Sequence, residues 1–99
     1  MNEPTAATDA GRRDDVMRAL ARVQDPELGM SIVALGLIYD VEVVETDVVV
    51  TMTLTTRGCP LATPLTEAAR RVVDELPWVT SAVVRLVWEP AWTPERMQR

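Results

Sequence analysis

The sequence predicts a single α+β domain, a compact α-β-β-α-β sandwich in which a small three-stranded sheet packs against two helices. Three observations predict it: two runs with apolar residues at helical spacing, three runs rich in β-branched residues, and a length of 99 residues. A chain of this length has room for one hydrophobic core rather than two. We therefore expect one folded domain over residues 13–99, preceded by a flexible tail at residues 1–12.

The first helix is predicted from about Asp14 to Val23. Apolar residues recur there at three- and four-residue intervals, and the aspartates at its start suit the positive end of the helix dipole. Pro26 disfavours helical backbone at Asp25, so the helix should end before that residue.

The second helix is predicted after the cysteine, and Pro77 should end it. Its start is open between two alternatives, a first turn that includes Pro60 or a start at Pro64 with Thr63 as the cap. Its apolar stripe comprises Leu61, Leu65, Ala68, Ala69, Val72, Val73 and Leu76.

Three strands are predicted from alternation and β-branched content. Residues 38–44 and 48–55 each alternate between apolar and polar positions, and the short link between them predicts an antiparallel hairpin. Residues 79–88 form the third strand, so the sheet is mixed or antiparallel. The remaining segments, residues 25–37 and the chain after residue 88, are expected to be loops with at most a turn of helix.

Composition argues against several partners. The net charge is −5 and every basic residue is arginine, which disfavours a general nucleic-acid-binding role. No apolar run approaches the roughly 20 residues that cross a bilayer, and the N-terminal sequence lacks the apolar stretch of a signal peptide. A single cysteine leaves no intramolecular disulfide, so we expect a cytoplasmic protein without a membrane partner.

The residues that are missing also exclude much enzymology. Without histidine there is no Cys–His dyad, serine triad or imidazole metal site. Without lysine there is no Schiff base and no P-loop lysine. One cysteine cannot form a CxxC metal or redox pair.

Cys59 is the first candidate functional residue. It follows a predicted strand and precedes a helix, where backbone N–H groups and the helix dipole stabilise a thiolate. Gly58 beside it permits a sharp turn and the close approach of a partner. From the residues alone, an equally acceptable interpretation is a buried cysteine that packs as a small apolar side chain.

Two carboxylates and a row of threonines are the other candidates. Asp25 and Glu27 bracket Pro26 and could serve as metal ligands or an acid–base pair, although solvated charges at a helix end are the more frequent explanation. Thr51, Thr53 and Thr55 form a row of hydroxyls on one face of the predicted sheet, and the last two lead into the cysteine loop. β-Propensity on an exposed sheet face would also explain the row. The tryptophans, interpreted as packing residues with a docking surface as the alternative, are Trp78, Trp88 and Trp92.

This set of groups favours transient metal or cluster handling over turnover chemistry. Iron–sulfur clusters usually take four thiolates, so one chain with one cysteine cannot ligate a cluster alone. Two chains could share a cluster through paired Cys59 residues as a homodimer, or a partner protein could complete the ligands. A catalytic cysteine would normally need a base, and only a carboxylate is available.

Four stretches together resemble the SufT/PaaD-like family of iron–sulfur cluster assembly factors, a domain also found fused to Mrp/ApbC-type carriers. They are "VQDPELGMSIVALGLIYDVEV", "VTMTLTTRGCPL", the helix that follows, and "VWEPAWTPERM". The resemblance implies the same compact α/β fold and a non-enzymatic accessory role in cluster assembly or transfer to client proteins. It also implies cluster scaffold or carrier proteins and client apoproteins as partners, with no tightly bound cofactor and at most a transient iron–sulfur cluster or iron.

The resemblance further implies one surface site that combines the acidic, threonine and cysteine positions. Carried over residue by residue, it comprises Asp25, Glu27, Thr53, Thr55, Gly58 and Cys59, with Cys59 as the transient metal ligand. PaaD-type members have a C-terminal extension with further cysteines, for which this sequence has no counterpart, so the SufT-like form is expected. The alternatives are a small cysteine-dependent enzyme and a PaaD-like maturation partner of an aromatic-degradation oxygenase.

Overall fold

Two helices and five strands follow one another along the chain in a computed structural model that describes residues 9–55 and 62–97. The two helices and the small mixed sheet confirm the predicted α+β class. In chain order the elements are α1 (Asp9–Leu20), β1 (Gln24–Asp25), β2 (Met30–Ser31), β3 (Ile38–Val44), β4 (Asp47–Met52), α2 (Ala62–Asp74), β5 (Ser81–Leu86) and a single 3₁₀ turn (Pro94–Arg96).

The three-stranded sheet has the order β3-β4-β5, with β4 in the centre. β3 and β4 form the predicted antiparallel hairpin, in which Val41 is opposite Val50. β5 pairs with β4 in parallel, with Val84 beside Val50, because the chain crosses over through α2 before it returns to the sheet. The sheet is therefore mixed.

One face of this sheet forms the core with the two helices. Alternate residues of β4 point inward and are almost completely buried, which is the alternation predicted from the sequence. α2 covers them with the stripe that the sequence indicated, of which Leu65, Ala69 and Val73 are buried. α1 contributes Val16 and Leu20, both fully buried.

The first helix lies earlier in the chain than predicted, and residues 9–12 belong to it rather than to a tail. Arg12 contacts the rest of the fold there: its guanidinium donates a 2.7 Å hydrogen bond to the carbonyl of Glu45 and lies 5.2 Å from the ring centre of Trp78. At the other end the turn tightens to three-residue hydrogen bonds, so Val23 lies outside the helix yet stays buried.

The segment expected to be a loop, residues 25–37, contains a short two-stranded ribbon of β1 and β2. Asp25 pairs with Met30 in this ribbon, which is too short for an alternating pattern to reveal. The chain then turns inward over residues 32–37, which we call the connecting segment. Its fully buried side chains are Ile32, Leu35 and Leu37.

The chain after β5 crosses back over the connecting segment as a C-terminal strap, residues 88–97. The strap includes the predicted helical turn, which is a 3₁₀ turn. Trp92 and Trp78 are half-buried and each donates an indole hydrogen bond, which agrees with the interpretation of the tryptophans as packing residues. Among the described helices, neither is long and apolar enough to cross a membrane.

Leu20→Ala should lower the free energy of unfolding by about 2–5 kcal/mol, because it removes a fully buried side chain from the centre of the core. Leu28→Ala is the matched control, since Leu28 is 50% exposed and its loss should change stability by about 0.5 kcal/mol or less. Urea denaturation of both variants measures the difference. Equal losses would contradict the described core.

Candidate functional site

The acidic turn, residues 25–29, is organised around the side chain of Asp25. One carboxylate oxygen of Asp25 accepts hydrogen bonds from the backbone N–H groups of Glu27, at 2.8 Å, and Leu28, at 3.3 Å. The N–H of Gly29 donates to the carbonyl of Asp25 at 2.8 Å, and Gly29 has a positive φ of 69° that an L side chain rarely adopts. Pro26 fixes its own φ and suits the position after the aspartate.

The two carboxylates of this turn have different environments. Asp25 is only 4% exposed, so the expectation of solvated charges was wrong for this residue. Glu27 is exposed, as that expectation had it. The turn therefore presents one carboxylate whose orientation the backbone fixes and one that is free to meet a partner in solvent.

Thr53 is the other buried polar residue of the candidate site. Strand β4 ends at Met52, and the N–H of Thr53 then donates to the carbonyl of Leu37 at 2.9 Å. Thr53 is 0% exposed, which contradicts the expectation that it lies with Thr51 in a row on an open sheet face. Thr55 is half-buried.

Among residues 9–55 and 62–97, the fully buried hydroxyl of Thr53 has no hydrogen-bond partner. A buried polar group without any partner costs about 1–3 kcal/mol, and native structures contain few of them. Thr53 is therefore an unusual buried polar residue, on the chain segment that leads to the cysteine.

The connecting segment joins the acidic turn to Thr53. At its beginning, Ile32 donates its N–H to the carbonyl of Val23 at 2.9 Å, directly beside the ribbon that carries Asp25. At its end, the carbonyl of Leu37 accepts the N–H of Thr53. The connecting segment thus binds the backbone two residues before Asp25 and the backbone of Thr53, a connection that no sequence motif indicated.

Gly58 and Cys59 lie outside the described residues, so their position in the site stays a prediction. The described chain leaves off at Thr55 and resumes at Ala62, where α2 begins. Within residues 9–55 and 62–97, no group of three or more Cys, Asp and Glu side chains could hold a metal ion. The described carboxylates alone therefore do not form a metal site.

An open apolar groove of about 400 Å³ lies beside the acidic turn. Val23 and Pro26 line one side, and Pro64 and Leu65 in the first turns of α2 line the other. No sequence pattern predicted this groove, because its two sides are far apart along the chain. It is a surface that an apolar side chain of another protein could contact close to Asp25 and Glu27.

Comparison with known proteins identifies a matching family and similar sequences. The family model described as "Iron-sulfur cluster assembly protein" matches residues 13–84. The Fe-S protein maturation auxiliary factor YitW of Bacillus subtilis is 44% identical over 88 residues, which cover 88% of this chain and 86% of that protein. The Fe-S protein maturation auxiliary factor SufT of Staphylococcus aureus is 44% identical over 78 residues, which cover 78% of this chain and 89% of that protein.

Longer proteins and a solved structure also match. In an iron-sulfur cluster carrier protein of Synechocystis, the matching stretch is 39% identical and covers 84% of this chain but 23% of that protein. The crystal structure of the domain of unknown function DUF59 from Bacillus anthracis superimposes with a TM-score of 0.89 at 38% identity, covering 95% of this chain and 91% of that one. The SufT-like resemblance and the occurrence within longer carrier proteins are thereby confirmed.

Thr53→Val should leave the free energy of unfolding unchanged or raise it by about 1–3 kcal/mol, because a methyl group replaces a buried hydroxyl that has no partner in the described part of the chain. Thr51→Val on the outer face of β4 is the control and should change stability by about 0.5 kcal/mol or less. Thermal and urea unfolding measure both. A marked loss of stability in Thr53→Val would show that the hydroxyl does make a hydrogen bond.

Proposed function

Because this chain belongs to the family of iron–sulfur cluster assembly proteins, we propose that it is a non-enzymatic accessory factor in the maturation of iron–sulfur proteins. The observation that carries this proposal is the family match over residues 13–84, which includes every candidate site residue. The match covers 86% and 89% of the lengths of the two maturation factors, so it extends over most of those proteins.

We place the working site around Cys59, Asp25 and Thr53. The buried hydroxyl of Thr53, which has no partner among the described residues, supports this location. A hydroxyl can donate a hydrogen bond to a cluster or cysteine sulfur, and such bonds tune cluster properties. Asp25 also supports this location, since its buried carboxylate has one oxygen oriented by two backbone N–H groups.

The chemistry proposed at Cys59 is ligand exchange on a cluster that is cargo and not a resident cofactor. The Cys59 thiolate forms one iron–sulfur bond as a donor protein's ligand leaves, and a thiolate of the client then displaces Cys59. Each exchange forms one bond and breaks one, with no change in oxidation state. Because one thiolate cannot hold a cluster alone, the exchange requires a second protein or a second copy of this chain.

The partners of this proposal are cluster scaffold or carrier proteins and client apoproteins. The apolar groove between Pro26 and Pro64 supports direct protein contact next to the site. A cytoplasmic location follows from the same proposal, because the maturation partners and the single reduced thiol require a reducing compartment. If the protein instead serves one oxygenase, complementation of a deletion strain should restore the activity of that client only.

Cys59→Ser should abolish maturation of iron–sulfur enzymes in a strain that lacks this protein, because the exchanging thiolate is lost while the fold is kept. The measurement is the activity of several iron–sulfur enzymes after complementation, together with the melting temperature of the purified variant. Full rescue by a normally folded Cys59→Ser variant would exclude the proposed site.

Thr53→Val gives a second test of the same site. We expect it to reduce maturation by about tenfold, the scale on which groups that support a metal ligand act, although the variant is at least as stable as the wild type. Thr51→Val should mature clients normally.

A small cysteine-dependent enzyme would instead require turnover by the purified protein alone, and alkylation of Cys59 across pH would then give a depressed thiol pKa.

A further inference from the structure

The C-terminal strap and the connecting segment are in direct backbone contact next to the candidate site. We propose that Trp92 is a positioning residue of that site: by holding the carbonyl of Leu35, it fixes the connecting segment and, through it, Thr53. The inference rests on the proposed function, because it assigns Trp92 a role in the same site.

The first contact is a short hydrogen bond from a side chain to the main chain. The indole N–H of Trp92 donates to the carbonyl oxygen of Leu35 at 2.7 Å, across 57 positions of sequence. Leu35 itself is fully buried, and its N–H donates to the carbonyl of Ser31 at 3.0 Å. The indole therefore attaches to the middle of the connecting segment from outside.

The second contact leaves no space between the two backbones. A Cβ atom at Gly36 would overlap the carbonyl group of Arg96, and Gly36 has a positive φ of 77°. A side chain at this position would thus be strained and would also push the strap away. The glycine lets the strap lie directly on the connecting segment.

Tyr39 fixes the strap at a further point. Its hydroxyl donates a 2.8 Å hydrogen bond to the carbonyl of Pro90, and the guanidinium of Arg96 lies 4.8 Å from its ring centre. Since Tyr39 belongs to β3, the strap is tied to the sheet as well as to the connecting segment.

The inner side of the connecting segment meets the site. Leu37 lies two residues after Leu35; its N–H donates to Ile32 and its carbonyl accepts the N–H of Thr53 at 2.9 Å. Thr53 follows the last residue of β4, so this bond fixes its backbone beyond the regular ladder. A displacement of the segment therefore moves Thr53 directly, and shifts of about 1 Å at a functional group can cost about a hundredfold in activity.

The test compares two variants of the protein that each lose an indole hydrogen bond. Trp92→Phe removes the indole donor to the backbone carbonyl of Leu35 and keeps an aromatic ring. Trp78→Phe removes a 2.9 Å indole bond to the carboxylate of Asp15 in α1, which is not an acceptor in the connecting segment. The readouts are amide hydrogen exchange by NMR and rescue of iron–sulfur enzyme activity in the deletion strain.

Trp92→Phe should speed exchange at the amides of Thr53 and Leu37 by about fivefold relative to the amides of the β3–β4 ladder, because one hydrogen bond that closes this region is gone. Trp78→Phe should leave the exchange rates of Thr53 and Leu37, divided by those of the β3–β4 ladder amides, unchanged; we call this quotient the exchange ratio. Maturation should fall by about tenfold in Trp92→Phe and stay normal in Trp78→Phe.

If Trp92 has only a structural role, Trp92→Phe should speed exchange uniformly across the sheet, and the two variants should support equal maturation. Either result overturns the proposal. Tyr39→Phe is the second variant should Trp92→Phe not fold, since it removes only the exposed hydroxyl bond to the strap. It should shift the Thr53 exchange ratio in the same direction. If Cys59→Ser supports normal maturation, the proposed function fails, whereas an unchanged exchange ratio in Trp92→Phe rejects only the positioning role.

Discussion

Strand β4 lies at the centre of the sheet, and its register determines how the other elements pack. Both neighbouring strands pair with it, one antiparallel and one parallel, so its register sets which residues of the whole sheet face the helices. Val48, Val50 and Met52 point inward, and a shift of one residue would exchange the two faces. With only one apolar sheet face to bury, a domain of this size has no second way to form its core.

The candidate site lies where this alternation stops. Thr53 would follow Thr51 to the outer face if β4 continued, but the strand ends at Met52 and Thr53 is buried. Its hydroxyl is buried without a partner among the described residues, whereas the buried positions of the strand itself are apolar, and such local exceptions concentrate at functional sites. The acidic turn contains the second buried polar side chain, Asp25, whose carboxylate is hydrogen-bonded to the backbone.

Local periodicity explains why the sequence predicted some elements well. The hairpin of β3 and β4 and the buried stripe of α2 depend on repeats of two and 3.6 residues, and the sequence contains both. The burial of Asp25 and Thr53 depends instead on backbone partners in the connecting segment, which has no period. The bond from Trp92 to Leu35 spans 57 positions, so nothing local to either residue indicates it. The family resemblance supplied the site residues, but not the reason for their burial.

The strap also sets the order in which the surroundings of Thr53 can be completed. The hairpin and α2 form from neighbouring residues, whereas the parallel β4–β5 pair and the strap join residues that are far apart along the chain and so lose more chain entropy. During synthesis Cys59 leaves the ribosome before Trp92 does. A nascent chain therefore has the thiol before Trp92 can bind the connecting segment, and under the proposed function it would become competent to receive a cluster only after the strap has been synthesised.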